Sequence, residues 1–210
     1  MAIDEALLEG ATVPSIRFYR WQSPALSFGY FGRFADVSNY AAERDLVRRW
    51  TGGGIVLHGD DLTYSIVIPV SDPAFGESSI SIYEKIHRAL ADALNRMGKR
   101  AELVGSARCA DRIPPPPDAF HTNMCFVTPV RADVLNNGRK IAGAAQRRTR
   151  HGLLQQGSIQ GIEPKIGLAE RFARSLSANC SEREIGDAIL NRAAELAQRR
   201  YGTDPWLHKR

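Results

Sequence analysis

The apolar positions of this chain follow two different periods, and the changes between them mark out its expected elements. From Ser81 to Gly98, residues Ile82, Ile86, Ala89, Leu90, Ala93, Leu94 and Met97 recur on one helical stripe. The spacing predicts a long helix over 81–98, capped by Ser79 or Ser81 and closed by Gly98. A short amphipathic helix is expected over 2–9, with Ile3, Ala6 and Leu7 on one side. Leu62 to Val70 is rich in β-branched residues and predicts a strand. Strands are also expected over 15–20 and 25–30, punctuated by Pro24, Gly29 and Gly32. A short helix is expected from Asp36 to Asp45, and 46–58 reads as strand, glycine turn, strand.

The second half begins with a proline-rich loop, Pro114 to Pro117, which excludes helix and inner strand there. Strands are expected near 124–128, 131–136, 139–145 and 152–159, with Asn137-Gly138 as a hairpin turn. Helices are expected over 165–177 and 181–201, the latter opened by a Ser181–Glu184 capping box. Early strands, late helices and hairpins between them predict an α+β fold with a mixed, largely antiparallel sheet flanked by helices. We expect one domain over 1–210, with a helical C-terminal part from about 164 and Pro164 as the one plausible lobe boundary.

Composition narrows the class. The chain has 210 residues, 43% hydrophobic and 24% charged, which is ordinary for a globular protein. No apolar run is long enough to span a membrane, and the first residues lack the basic and apolar regions of a secretory signal. The expected location is the cytoplasm. Three cysteines without tight spacing make neither a disulfide framework nor a zinc site, and no metal ligand set is expected. Net charge is +5 with a pI near 9.3, and basic runs lie at 147–150 and at the C-terminus. These are either a solvated surface or an attraction for an acidic partner. No nucleic-acid motif accompanies the charge, so no nucleic-acid partner is expected.

Four places carry candidate chemistry. Gly52-Gly53-Gly54 lets the backbone approach a ligand and turn its amides toward an anion or carbonyl, or else forms a sharp hairpin. Arg48 and Arg49, just before it, are placed to clamp a phosphate or carboxylate. His58 follows as either a structural histidine or a positioning group. Lys140, inside an apolar strand and followed by Ile-Ala-Gly-Ala-Ala, is unusual unless paired or functional. Cys125 is either a small buried hydrophobe or, beside an ammonium that lowers its pKa, a nucleophilic thiolate. Cys109 and Cys180 lack such a neighbourhood and are expected to be structural or surface thiols.

Several stretches together resemble the biotin/lipoate protein ligase family of cofactor-attachment enzymes. They are Met-Ala-Ile-Asp-Glu-Ala-Leu-Leu (1–8), Pro-Ala-Leu-Ser-Phe-Gly-Tyr-Phe (24–31), Arg-Arg-Trp-Thr-Gly-Gly-Gly-Ile-Val-Leu-His with Asp-Leu-Thr-Tyr-Ser (48–65), Gly-Arg-Lys-Ile-Ala-Gly-Ala-Ala-Gln (138–146) and Gln-Gln-Gly-Ser-Ile (155–159). The resemblance implies the catalytic-domain fold of class II synthetases and biotin ligases. Family members usually carry a strand and several residues ahead of Met-Ala-Ile-Asp, so the expectation is either a sheet that lacks an edge strand or a true start upstream of Met1. Cys125-Phe126, with a lysine fifteen positions on at Lys140, resembles the cysteine-dependent octanoyltransferase branch.

That resemblance implies Cys125 as acyl carrier and Lys140 as the group that lowers its pKa. It also implies Arg49, Gly52, Gly53, Gly54, Ile55, Val56, Leu57, His58 and Gly143 around the substrate. The implied reaction moves an octanoyl group from acyl carrier protein to a lipoyl-domain lysine. Implied acceptors include glycine cleavage H protein and 2-oxoacid dehydrogenase acyltransferase subunits. No cofactor is required on this reading. Three alternatives remain: an ATP- and magnesium-dependent lipoate ligase, an octanoyl amidotransferase between lipoyl-domain proteins, and a non-catalytic acyl-binding module.

Overall fold

A computed structural model describes residues 1–105, 126–162 and 167–209. The described residues form two sheets with helices packed around them. The larger sheet contains β1 (Ser15–Tyr19), β5 (Leu62–Pro69), β6 (Ala101–Leu103), β7 (Val134–Asn136), β8 (Arg139–Thr149) and β9 (Gly152–Ile159), in the order β1-β5-β9-β8-β7-β6. All of its pairings are antiparallel. The smaller sheet has the order β3-β2-β4, made of β2 (Ala25–Phe28), β3 (Asp45–Arg48) and β4 (Val56–His58). Here β2 runs parallel to β3 and antiparallel to β4. The architecture is therefore α+β with a mixed, largely antiparallel character, as the sequence predicts.

The helices are α1 (Ala2–Gly10), α2 (Ser79–Arg96), α3 (Leu168–Leu176), α4 (Asp187–Leu196) and α5 (Asp204–Leu207). The predicted stripe of α2 is its buried face, which packs with Tyr64, Ile66, Ile68, Leu153 and Phe172 into the main core. Ser78, one residue before the expected caps, accepts a hydrogen bond from the Ser81 amide. Gly98 follows the helix at φ +78°, a conformation that favours glycine. On the other side of the large sheet, α4 packs against α1, where Ala6 meets Ala193 and Leu196 and Arg192 pairs with Glu9 at 2.7 Å.

Several expectations need correction. The strands on either side of the glycine run do not form a hairpin, because β2 inserts between β3 and β4. Each outer strand satisfies its backbone against β2, so the glycines cross the end of β2 as a loop. The segment from Asp36 to Asp45 holds two short 3₁₀ turns, Phe34–Asp36 and Ser38–Tyr40, instead of an α-helix. The Ser181–Glu184 box caps nothing, since α4 starts at Asp187 behind Gly186 and ends in the π-turn Ala197–Tyr201. Of the strand expected near 124–128, the described residues 126–128 are turn and bend. The proline run 114–117, Cys109 and Pro164 lie outside the described residues. The Asn137-Gly138 turn forms as expected, with φ of +52° and +79°. No helix among the described residues is long and apolar enough to cross a membrane.

Candidate active site

A cleft runs between the two sheets. The small sheet supplies Ser27, Val56 and His58, and its connecting loop supplies Arg49 and Gly53. The large sheet supplies Thr63, Gly143, Ala144, Ala145, Gln156, Gly157 and Ser158. Trp21 and Tyr19 close one side. The short side chains of β8 are what open the slot. Bulky residues there would fill it.

The glycine loop is held from behind. A β-carbon on Gly29 would lie 2.2 Å from the Gly53 carbonyl oxygen, so β2 and the loop touch backbone to backbone. Gly53 itself has φ +85°. Arg49 is buried and donates from Nη2 to the carbonyls of Gly52 (3.0 Å) and Gly54 (2.7 Å), and from Nη1 to Ser27 Oγ (2.7 Å). Arg48 points the other way. Its guanidinium donates to the carbonyls of Tyr30, Gly32, Leu207 and Lys209, which ties the loop's base to the C-terminal α5 segment. The two arginines expected as an anion clamp are therefore engaged by backbone carbonyls and Ser27.

A polar relay extends from Arg49. Arginine can only donate, so Ser27 Oγ accepts from it, and the same hydroxyl shares a hydrogen bond with His58 Nε2, 2.6 Å away. His58 donates from Nδ1 to the Asp61 carboxylate, 2.8 Å to Oδ2. Asp61 also accepts from Thr63 Oγ1, Ser158 Oγ and the Gly59 amide. Burial pushes the Asp61 carboxyl upward, but the hydrogen bond and electrostatic attraction of His58, with hydrogen bonds from Ser158 and Gly59, outweigh it and hold the group below the usual carboxylate range. Trp21 stacks on the His58 ring at 4.3 Å and donates its Nε1–H to Thr63 Oγ1.

Lys140 lies behind the cleft wall. Its Nζ is 2.6 Å from Asp133 Oδ2, with both side chains buried. Tyr83 donates to the other carboxylate oxygen at 2.5 Å and accepts from the Ala144 amide. Burial first, and the neighbouring Asp133 second, push the Tyr83 hydroxyl well above its ordinary value, so it stays protonated and donating. A β-carbon at Gly143 would meet Lys140 Cε at 2.9 Å and Nζ at 3.1 Å. Position 143 is thus glycine to admit the lysine. Lys140 Nζ also stands 5.5 Å from the centre of the Phe126 ring. Phe126 follows Cys125 in the chain, and Cys125 itself lies outside the described residues.

Of the residues the sequence singles out, Arg49, Gly53, Val56, His58 and Gly143 line the cleft. Ile55 and Leu57 do not. They pack into the second core with Leu26, Phe28 and Val37, since alternate residues of a strand face opposite sides. Gly52 and Gly54 contribute carbonyls to Arg49 instead of cleft surface. Sequence reasoning misses Ser27, Asp61, Asp133 and Tyr83. A buried lysine does demand a counter-charge, and Asp133, across the Asn137-Gly138 turn from Lys140, was the legible signal. Among the described residues, no group of three His, Cys, Asp or Glu stands together as a metal site.

Comparison with known proteins agrees with this geometry. The family model for the lipoyl protein ligase A/B catalytic domain matches residues 1–184. The chain is 39% identical over 167 residues to octanoyltransferase LipM of Oceanobacillus iheyensis, covering 76% of this chain and 58% of that protein. It is also 39% identical over 257 aligned positions to octanoyltransferase LipM of Symbiobacterium thermophilum, covering 98% of this chain and 92% of that protein. The chain thus spans under two thirds of the first relative and most of the second. The crystal structure of lipoate-protein ligase A bound with ATP superposes with a TM-score of 0.75 at 22% identity, covering 99% of this chain and 92% of that one, which shows a shared fold. With most of its length matched by that family model and its fold shared, the chain belongs to the lipoyl protein ligase A/B catalytic domain family.

Proposed function

We propose that the chain is an octanoyltransferase that carries the acyl group on Cys125 and delivers it to a lysine of a lipoyl-domain protein. The observation that carries this reading is the placement of Lys140. It is a buried ammonium against Gly143 of the cleft wall and beside Phe126, the residue that follows Cys125. The likeness to proteins named octanoyltransferase supports it.

In this mechanism the Cys125 thiolate attacks the carbonyl of an octanoyl thioester on acyl carrier protein. The new carbon–sulfur bond forms as the carrier's bond breaks, and the carrier's thiolate leaves and takes a proton. The amine of the acceptor lysine then attacks the enzyme thioester, loses a proton and keeps the acyl group as an amide, and the cysteine is regenerated. Neither step needs ATP or a metal. The ammonium of Lys140 favours the thiolate, though it shares its charge with Asp133. Burying an acyl tail of about six methylenes in the slot stabilises binding by roughly 5 kcal/mol, at about 0.8 kcal/mol each. The slot's apolar lining of Trp21, Val56, Ala144 and Ala145 suits such a tail.

The competing reading is an ATP- and magnesium-dependent lipoate ligase that forms an acyl adenylate near Arg49. The commitment of Arg49 to Ser27 and two loop carbonyls weighs against it. An amidotransferase working between lipoyl-domain proteins would use the same cysteine and differ only in its donor.

The test is mass spectrometry after incubation with octanoyl-acyl carrier protein. The expected result is an octanoyl adduct on Cys125 that is lost in Cys125→Ser and discharged by a lipoyl domain. Full lipoylation by Cys125→Ser with ATP and lipoate, with no adduct on the native chain, overturns the reading.

A further inference from the structure

Outside the cleft, the most exposed large apolar side chain among the described residues is Phe31, at 85%. It does not stand alone. Its ring meets Tyr30 edge-on at 5.0 Å. Tyr30 contacts two cations, with the Arg147 guanidinium 4.9 Å and Lys209 Nζ 4.2 Å from its ring centre. Lys209 also donates to the Tyr30 hydroxyl. Arg33, whose side chain is 79% exposed, adds a third positive group and shares its charge with Asp36. The patch is therefore an aromatic knob set among cations. A lone exposed phenylalanine needs no explanation, but an apolar tip packed on a tyrosine that itself carries two cations is the anatomy of a protein-docking spot.

The patch adjoins the cleft through two separate connections. Tyr30 donates its amide to the Thr51 carbonyl, and Gly29 touches Gly53, which lines the slot. Arg147 is two residues along β8 from Ala145, which also lines the slot, and it donates to the Trp50 carbonyl. A partner seated on Phe31 therefore stands at the rim of the slot.

We propose that Phe31 and the neighbouring Tyr30, which carries the cations Arg147 and Lys209, dock the acceptor, an acidic domain that presents its lysine to the slot. This rests on the acyl-transfer reading above. Charge complementarity selects an acidic partner, in keeping with the chain's net charge of +5. Reach selects the acceptor over the donor. A lysine extends only the length of its four-carbon stem, so the domain that carries it must sit against the rim. An acyl group on a carrier's long pantetheine arm enters from a body held farther away.

The experiment uses the full chain and two variants, Phe31→Ala and Lys209→Glu, neither of which lines the slot. Binding of an acidic lipoyl domain is measured first by calorimetry at low and high salt. Each variant is expected to weaken it about 10-fold or more, and salt to weaken the native complex. Acylation of Cys125 by octanoyl-acyl carrier protein and octanoyl transfer to a short lysine peptide are expected to be unchanged. Native affinity in both variants overturns the docking site. So does an equal loss of donor acylation, which would assign the patch to the donor, or a parallel loss with the short peptide, which would mark a structural defect. If the native chain forms no cysteine adduct, the transfer reading fails, while lost domain binding in the variants still upholds the docking surface.

Discussion

Lys140 and Asp133 form a buried ion pair, Nζ to Oδ2 at 2.6 Å, at the back of the cleft wall. Asp133 Oδ1 is closed by Tyr83, so the pair has its charges and lone pairs answered. Removing one partner leaves the other charge buried alone, which typically costs 3–5 kcal/mol. Lys140→Ala and Asp133→Ala are each expected to destabilise the chain by about that amount in urea unfolding. The double change Lys140→Met with Asp133→Leu is expected to recover most of it while losing acylation. A double variant no more stable than either single one would show that the pair is not the structural unit.

Gly29 tests the backbone contact beneath the glycine loop. An added methyl would strike the Gly53 carbonyl at 2.2 Å, and neither backbone can yield as a flexible side chain would. Gly29→Ala is expected to displace the loop, destabilise the fold by about 2 kcal/mol and reduce transfer at least 10-fold. Gly59→Ala is the control, since nothing lies within 4 Å of its added carbon. It should leave both the melting temperature and the rate near native values. Equal behaviour of the two variants would remove the steric argument.

The parts of this molecule legible in the sequence are those fixed locally. The α2 stripe, the β-branched run of β5 and the Asn137-Gly138 turn each carry their own signal within a few residues. The glycine loop was harder, because its shape depends on β2, a strand some twenty residues upstream that slides between β3 and β4. No local pattern records that insertion. The same holds for the site. Lys140, Arg49 and His58 stand out as unusual residue types in their segments. Ser27 and Asp61 are ordinary in theirs and gain meaning only when the sheets bring them to His58. The false capping box at Ser181 shows the converse, a local pattern with no helix placed to use it.

His87 sets an acid limit on stability. It is buried in α2, accepts from Tyr64 at Nε2 and donates from Nδ1 to the Ala132 carbonyl. Burial pulls its pKa down from 6.5 to about 4, against the raising effect of the Ala132 carbonyl. Between these values the unfolded chain binds a proton that the folded chain refuses. Stability is therefore complete above about pH 6.5, falls as pH drops toward 4, and is reduced by about 3 kcal/mol at the lower end. Unfolding at a series of pH values is expected to show this slope, and His87→Asn is expected to flatten it within that window. A native profile flat from pH 6.5 to 4 would contradict the assignment.

The relay from Asp61 through His58 and Ser27 to Arg49 predicts coupling between residues that do not touch. Asp61 accepts from His58 Nδ1, His58 Nε2 hydrogen-bonds the Ser27 hydroxyl, and Ser27 accepts from Arg49. Arg49 in turn holds the carbonyls of Gly52 and Gly54. Ser27→Ala leaves Arg49 and His58 each short of a partner, at about 1–3 kcal/mol per unsatisfied group. Asp61→Asn removes the charged acceptor that orients the His58 ring and weakens the chain at the other end. Each variant is expected to lower kcat/KM for acyl transfer by about 10- to 100-fold. The double variant should be little worse than the weaker single one, a coupling of about 1 kcal/mol or more. Ser27→Thr, which keeps the hydroxyl, should restore most of the rate. Simple additivity of the two losses would mean that Asp61 acts on the fold alone and not through Arg49.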